Sequence, residues 1–303
     1  MNTPRTKVIL AFATVYVIWG STYLAIRYAV ETIPPFFMMG VRSLIAGSIL
    51  YGWSIKRGDR VRRQELPSLI ILGTLFFLLG HGLLAWAQKI VASGIAAVLI
   101  ASDPLWIALI ESFMMKDVRL GKKQIMGLIF GFAGVGLLFL PASGADALHM
   151  NSFRAFVILL SAIAWSVGAV YSRAATLPKS SALAAGLELI IGGLLLCGVA
   201  ILLREFHHFH LSNITFRSLV ALIYLIVFGS IVTFTAYVWL LTVTTATRVA
   251  THTYVNPVIA VLLGRAFAGE RFTILAIIAS SIIVFSVYLM LESKQTPADA
   301  EPG

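Results

Sequence analysis

The sequence predicts an all-α integral membrane protein with ten transmembrane helices, arranged as two inverted five-helix repeats around a central cavity. Three observations lead there. Only 12% of the 303 residues are charged and 59% are hydrophobic, against roughly 25% charged in soluble domains, so a surface facing water could not be covered. The mean hydropathy is +0.93, and uncharged runs recur at about 20 residues, the length that crosses a hydrocarbon core as a helix. Finally, the chain repeats itself. Trp19 and Arg27 return as Trp165 and Arg173, displaced by 146 positions, while Ser102-Asp-Pro-Leu105 answers Val255-Asn-Pro-Val258 and Trp86 answers Trp239, displaced by 153. Two like halves with an odd number of crossings each must lie in the bilayer with opposite orientation, a construction in which one half rocks against the other around a mid-depth site.

On the 20-residue scale the segments fall near 8–30, 35–55, 67–88, 92–115, 122–141, 153–174, 182–203, 216–241, 247–268 and 272–291. The first repeat is expected over residues 1–145, the second over 146–292, and a polar, Pro-containing tail over 293–303 with the composition of a disordered segment. Pro34, Pro35, Pro67 and Pro178 stand at segment starts, where a missing N–H costs little. The first segment is too long for a signal-peptide core and reads as retained. Gly127 and Gly131 form a G-x-x-x-G pair suited to close helix packing.

Loop charge sets the orientation. Arg5, Lys7, the 56–65 loop, Lys116, Arg119, Lys122, Lys123, Arg173, Lys179, Arg248 and Lys294 fall on one side; the fewer cations Arg27, Lys89, Arg154, Arg204, Arg217, Arg265 and Arg271 fall on the other. The positive-inside rule makes both termini cytoplasmic. The net charge of +10 is thereby a matter of topology, with no basic stripe for nucleic acid. Cys197 has no partner for a disulfide. His207, His208 and His210 lie in an outer loop without an acidic or Cys residue at ligand spacing, so no metal site is expected, and no other cofactor either.

The strings Trp19-Gly-Ser-Thr-Tyr23, Arg42, Ser93-Gly-Ile-Ala-Ala97, Trp165, Tyr254-Val-Asn-Pro-Val258 and Gly269-Glu270 occur in that order over roughly residues 8–291. The pattern resembles the EamA-type transporters of the drug/metabolite transporter superfamily, most closely its YedA-like exporters. The resemblance implies a multi-pass protein of the cell inner membrane that moves small molecules outward. It leaves the substrate open, since relatives carry amino acids, nucleosides, dyes or other metabolites. Asp103, before Pro104, and His81, in the third segment, depart from the family pattern.

Ionisable groups inside a bilayer cost several kcal/mol unless they face a cavity or a partner. Arg42 and Glu188 are repeat mates displaced by 146, each about seven residues, or roughly 10 Å, into its helix. Asp103 stands near mid-depth at a proline break, where polar groups gather readily. Asp103, Glu188 and His81 are the candidates for proton coupling. Trp19, Tyr23, Arg27 and Glu31 recur at i+4 steps, as do Arg248, His252 and Asn256. With Trp86, Trp165, Trp239 and Tyr254 these residues are the candidate lining of a substrate path, with rings suited to amphipathic solutes or simply seated at the membrane interfaces.

The expected function is a secondary transporter, exporting small amphipathic metabolites, amino acids or drugs by alternating access, with proton exchange or the solute's own gradient as the energy source. Its partners would be the small solute and the lipid bilayer, and a monomer would suffice. A passive channel or facilitator is the alternative. An intramembrane enzyme is a weaker one, because no H-E-x-x-H, G-x-S-x-G or Walker motif is present.

Overall fold

The computed structural model describes residues 5–114, 121–138, 151–207, 209–244, 249, 251–270 and 273–292. These form helices α1 (Arg5–Ala29), α2 (Pro35–Lys56), α3 (Arg63–Gln88), α4 (Ser93–Phe113) and α5 (Lys122–Leu138), followed by α6 (Ser152–Ser172), α7 (Ser181–Leu202), α8 (Phe216–Leu240), α9 (His252–Ala268) and α10 (Ile274–Glu292). No strand occurs among the described residues. Seven of the helices, α1 to α4 and α6 to α8, are long and apolar enough to cross a membrane, and Val255–Ala268 and Ile274–Leu289 are shorter apolar helices. His208, Lys116, Arg119, Arg248, Arg271, Lys294 and the 293–303 tail lie outside the described residues, as does the side chain of Tyr254.

Helix starts follow local chemistry. Pro35 opens α2. The side chains of Asn151, Ser180 and Thr215 accept from the backbone N–H groups of Arg154, Leu183 and Ser218, at 3.0, 3.4 and 3.2 Å, which satisfies donors that a helix leaves unpaired in its first turn. Gly269 ends α9 with φ 62°, a left-handed conformation free of Cβ strain only in glycine.

Three interruptions shape the interior. In α3 and α8 the segments Gly73–Gly82 and Leu225–Val232 are π-helical, a wider winding found mostly as short insertions at functional sites. Each is clipped by a side chain five residues beyond the carbonyl it bonds: His81 Nδ1 lies 3.1 Å from the Phe76 oxygen, and Thr233 Oγ1 donates to the Phe228 oxygen at 2.7 Å. In α4 the helical ladder breaks at Ala101 and Ser102, ahead of Pro104. Ser102 Oγ donates to the Leu99 carbonyl (2.6 Å) and accepts from Trp106 Nε1 (3.1 Å), while Ser166 Oγ of α6 donates to the Asp103 carbonyl (3.2 Å). Side-chain hydroxyls thus bond backbone carbonyls on either side of the break, as polar groups at an interrupted helix in a bilayer must find partners within the protein.

The helices pair closely: α2 lies along α7, α5 along α10, α1 against α9 and α4 against α6. Gly40 and Gly47 of α2 meet Gly193 and Gly186 of α7 backbone to backbone. Gly131 and Gly134 of α5 meet α10 at Ser286 and Ile283. Ile9, Val17, Ile49, Ile129 and Leu262 point outward and are exposed, a cost in water that acyl chains remove.

Candidate functional site

Two adjoining cavities lie inside the bundle. The smaller, about 70 Å³, is bounded by Trp19, Thr22 and Tyr23 of α1, Arg42 of α2, His81 of α3, Ser161 of α6 and Asn256 of α9. The larger, about 530 Å³, is bounded by Phe76 of α3, Glu188 and the start of α7, Phe234 and Tyr237 of α8, and the 177–179 loop. That volume falls within the roughly 300–1,000 Å³ of small-molecule sites. Asp103, Trp165 and His252 line both, so they stand where one cavity meets the other.

Rings dominate this junction. Trp19 meets Trp165 edge-on at 6.2 Å between centroids, His252 at 5.2 Å and Tyr237 at 4.8 Å. Trp165 also touches Phe76 (4.6 Å) and His81 (5.2 Å), and His81 stacks on Phe77 (5.4 Å, 12°). Trp19 Nε1 donates to the Gly229 carbonyl at 3.3 Å, a group that the π-helical winding of α8 presents.

Three charged residues are buried among these rings: Arg42, Asp103 and Glu188, with 5%, 6% and 5% of their surfaces exposed. Arg42 Nε donates to Ser230 Oγ at 2.8 Å and one terminal nitrogen faces Met39 Sδ at 3.6 Å. No carboxylate among the described residues pairs with it. Asp103 Oδ1 is buried with no hydrogen-bond partner among the described residues. An unmet buried acceptor carries a desolvation cost of about 1–3 kcal/mol, more if charged, and a cavity open to solute is the physical setting in which such a group persists. His252 Nδ1 donates to the Asn256 amide oxygen (3.1 Å), whose nitrogen donates to the Tyr16 and His252 carbonyls. The polar stripe of α9 is therefore internally bonded, unlike Asp103.

The bundle is tied together at the end where α3 finishes and α4 begins. Arg27 donates to the carbonyls of Gln88 and Lys89 at 2.8 and 2.6 Å, and Arg154 to that of Trp86 at 2.7 Å. These cations meet the negative end of α3. Glu270 accepts from the N–H groups of Ser93 (2.7 Å) and Gly94 (3.2 Å), and Glu205 from those of Phe36 (3.3 Å) and Phe37 (2.9 Å), so carboxylates meet the positive ends of α4 and α2. Burial pushes the Glu205 carboxyl above the usual carboxylate range, against the opposing pull of those two N–H groups and of Lys89. Glu31 pairs with Arg217, and Tyr28 Oη donates to the Phe267 carbonyl at 2.6 Å. At the opposite end, exposed Arg173 and Lys179 border the larger cavity, with Arg173 paired to buried Glu111.

Of the residues singled out from sequence, Trp19, Tyr23, Arg42, His81, Asp103, Trp165, His252 and Asn256 meet at the smaller cavity, and Glu188 at the larger. Three lie elsewhere. Trp86 packs at the tied end, under Arg154 (4.1 Å) and edge-on to Phe153. Trp239 packs, as Val8 and Phe12 do, against the cluster of Ala11, Val15, Leu240 and Val249 around the first turns of α1. These repeat mates therefore sit at opposite ends of the bundle, as interfacial rings do. Arg27 belongs to the tie and not to either cavity lining. Tyr237, Phe76, Phe234 and Ser230 were missed. The signal for Ser230 was a polar residue in the otherwise apolar 225–232 run.

A sequence profile of the EamA-like transporter family matches residues 6–140 and again 152–292. The chain belongs to that family. It is 33% identical to the inner membrane transporter YedA of Escherichia coli, covering 94% of this chain and 90% of that one. It is 26% identical to the transporter YvbV of Bacillus subtilis, covering 98% and 96%. A solved crystal structure 20% identical in sequence superposes with a TM-score of 0.65, covering 95% and 98% of the two chains, which speaks for the fold alone. This EamA-like protein is a multi-pass membrane transporter.

Proposed function

We propose that this EamA-like protein is a secondary transporter of the inner membrane that exports small amphipathic metabolites by alternating access, with protons exchanged at the buried carboxylates as the driving ion. The observation that carries the reading is Asp103, a buried carboxyl group at the junction of two cavities with one oxygen left unmet. A ten-helix plan of two inverted halves gives that junction its place at mid-depth. It is supported by the doubled family match, by π-helical segments at corresponding places in α3 and α8, and by the Gly40–Gly193 and Gly47–Gly186 contacts, which exchange under a displacement of 146. With both termini cytoplasmic, as the loop charges require, the tied end faces outward and the larger cavity faces the cytoplasm, where an exporter loads.

The test is flux in proteoliposomes. A carrier gives saturable uptake and counter-flow, whereas flux that only follows the gradient without counter-flow would mark a channel. Asp103→Asn should abolish the dependence of flux on an imposed pH gradient while leaving the protein folded. An unaltered dependence removes Asp103 from coupling.

A further inference from the structure

The turn between α2 and α3 carries positive charge that the protein leaves unmet. Lys56, Arg57, Arg60, Arg62 and Arg63 are all exposed, and none forms an ion pair with a described residue. Set against Asp59 and Glu65, these five cations leave residues 56–65 with a net charge of +3. Glu65 is buried, and its Oε2 accepts from the Arg62 N–H at 2.8 Å. We propose that this turn is a seat for the headgroup of an anionic phospholipid, with the Arg57 guanidinium, held over the Trp53 ring, as its anchor.

Arg57 differs from the other stacked guanidiniums in having no acceptor. Its Cζ lies 4.3 Å from the centre of the Trp53 ring. Arg154 lies over Trp86 and Arg217 over Tyr28 in the same way, but Arg154 also donates to the Trp86 carbonyl and Arg217 pairs with Glu31. No described residue accepts from the Arg57 side chain. A ring holds a guanidinium by its flat face and leaves the N–H edge free, in the fork spacing that matches two oxygens of a phosphate.

Depth selects a lipid over a soluble anion. Helix α2 runs 22 residues, from Pro35 to Lys56, about 33 Å at 1.5 Å per residue. A helix of that length entering one face of a core about 30 Å thick brings Lys56 and Arg57 out at the headgroups of the other. Gly58, at φ 89°, a left-handed turn that suits glycine, folds the chain back over the helix end. Its N–H and that of Asp59 donate to the Ile55 and Ser54 carbonyls at 2.9 and 3.1 Å. Ile49 and Trp53 of α2 and Leu66 and Ile70 of α3 are exposed on the helices that carry the turn, an apolar surface for acyl chains. Basic clusters of this size beside a membrane helix attract anionic headgroups. Soluble phosphate would share the cations but gain nothing from the apolar surface.

The probe is phosphatidylglycerol brominated on its acyl chains close to the headgroup, compared with phosphatidylcholine brominated at the same carbons. Both are offered to the full chain in lipid nanodiscs. Bromine quenches indole fluorescence on contact, and subtracting the signal of Trp53→Phe protein isolates the share of Trp53. At equal mole fraction the anionic lipid should quench Trp53 about tenfold more effectively, or better. Arg57→Gln should lower that preference roughly fivefold, the weight of one cation at a membrane surface. Lys7→Gln removes an exposed cation from the start of α1 and should leave the preference unchanged. Equal quenching by the two lipids overturns the proposal. An equal loss in Lys7→Gln does so too, because it marks a general surface potential and no seat. Inorganic phosphate added at constant ionic strength should not relieve the quenching; relief by phosphate would mark a site for the soluble anion and overturn the lipid assignment. Should Arg57→Gln fail to fold, competition on the wild-type protein decides. Unlabelled phosphatidylglycerol must relieve the quenching where unlabelled phosphatidylcholine does not, and equal relief by both overturns the proposal.

Discussion

Replacing Gly47 by Ala should loosen the close contact between α2 and α7. A Cβ built at Gly47 would stand 2.7 Å from the Gly186 carbonyl oxygen and 2.9 Å from the Ile190 backbone nitrogen. Both are helix backbone atoms and cannot rotate away, while ordinary contact begins at 3.4 Å. The helices must part by about half an ångström or more, and overpacking of that kind costs roughly 1–3 kcal/mol. At Gly52, further along the same helix, an added methyl group would find nothing within 4 Å. There the same change carries only the gain in helix propensity, about 0.5–1 kcal/mol. The propensity gain is common to both sites, so the difference between Gly47→Ala and Gly52→Ala isolates the packing cost at about 1–3 kcal/mol. At about 2 °C per kcal/mol for a chain of this size, thermal unfolding in nanodiscs should separate the two variants by roughly 2–6 °C, with Gly52→Ala the more stable. Gly186→Ala, whose Cβ would meet the Tyr51 nitrogen at 2.9 Å, should cost a similar amount, and the double variant less than the sum, because one separation serves both methyl groups. Equal melting temperatures for Gly47→Ala and Gly52→Ala would refute the close approach.

Other consequences follow from the same geometry. Glu270→Gln keeps one acceptor at the start of α4 but loses the charge and one of two charge-assisted bonds, worth about 1.5–3 kcal/mol. In a Cys197→Ser background, a thiol placed at Ser161 should then react at least tenfold faster with an impermeant reagent from the tied end, and an unaltered rate would show that Glu270 holds nothing shut. Glu205, raised by burial, binds its proton more tightly folded than unfolded, so its contribution to stability is present at low pH and declines as pH climbs from the ordinary carboxylate range through the raised value. Glu205→Gln should flatten that decline in melting temperature, and parallel wild-type and variant curves would contradict it. Thr233→Val removes the clip onto the Phe228 carbonyl at about 0.5–1.5 kcal/mol, and should speed amide hydrogen exchange in the 225–232 segment of α8 while leaving α3 as it was.

The sequence by itself determined the all-helical membrane class of fold and drew attention to the ionisable groups inside it, for reasons of solvation. Helices must satisfy their own backbone in lipid, so apolar runs of fixed length marked out α1 to α4 and α6 to α8, and charges inside those runs had to face a cavity or a partner. That is why Arg42, Asp103 and Glu188 could be picked from the chain alone. Repetition at 146 and 153 positions carried less than it promised for single rings. It paired Trp86 with Trp239 without saying that both belong to the ends of the bundle, because a displacement fixes correspondence and not depth or facing. The glycines of α2 and α7 obey the 146-residue displacement too, yet their meaning lies in contact between two helices, which no local pattern reports. Only tertiary structure decided that Arg27 ties α1 to the end of α3, that Glu205 and Glu270 reach across the chain to distant helix starts, and that Asp103 keeps an oxygen unmet while His252 and Asn256 satisfy one another. Each of those depends on angles and separations between elements far apart in sequence, and hydrogen bonding is decided by tenths of an ångström.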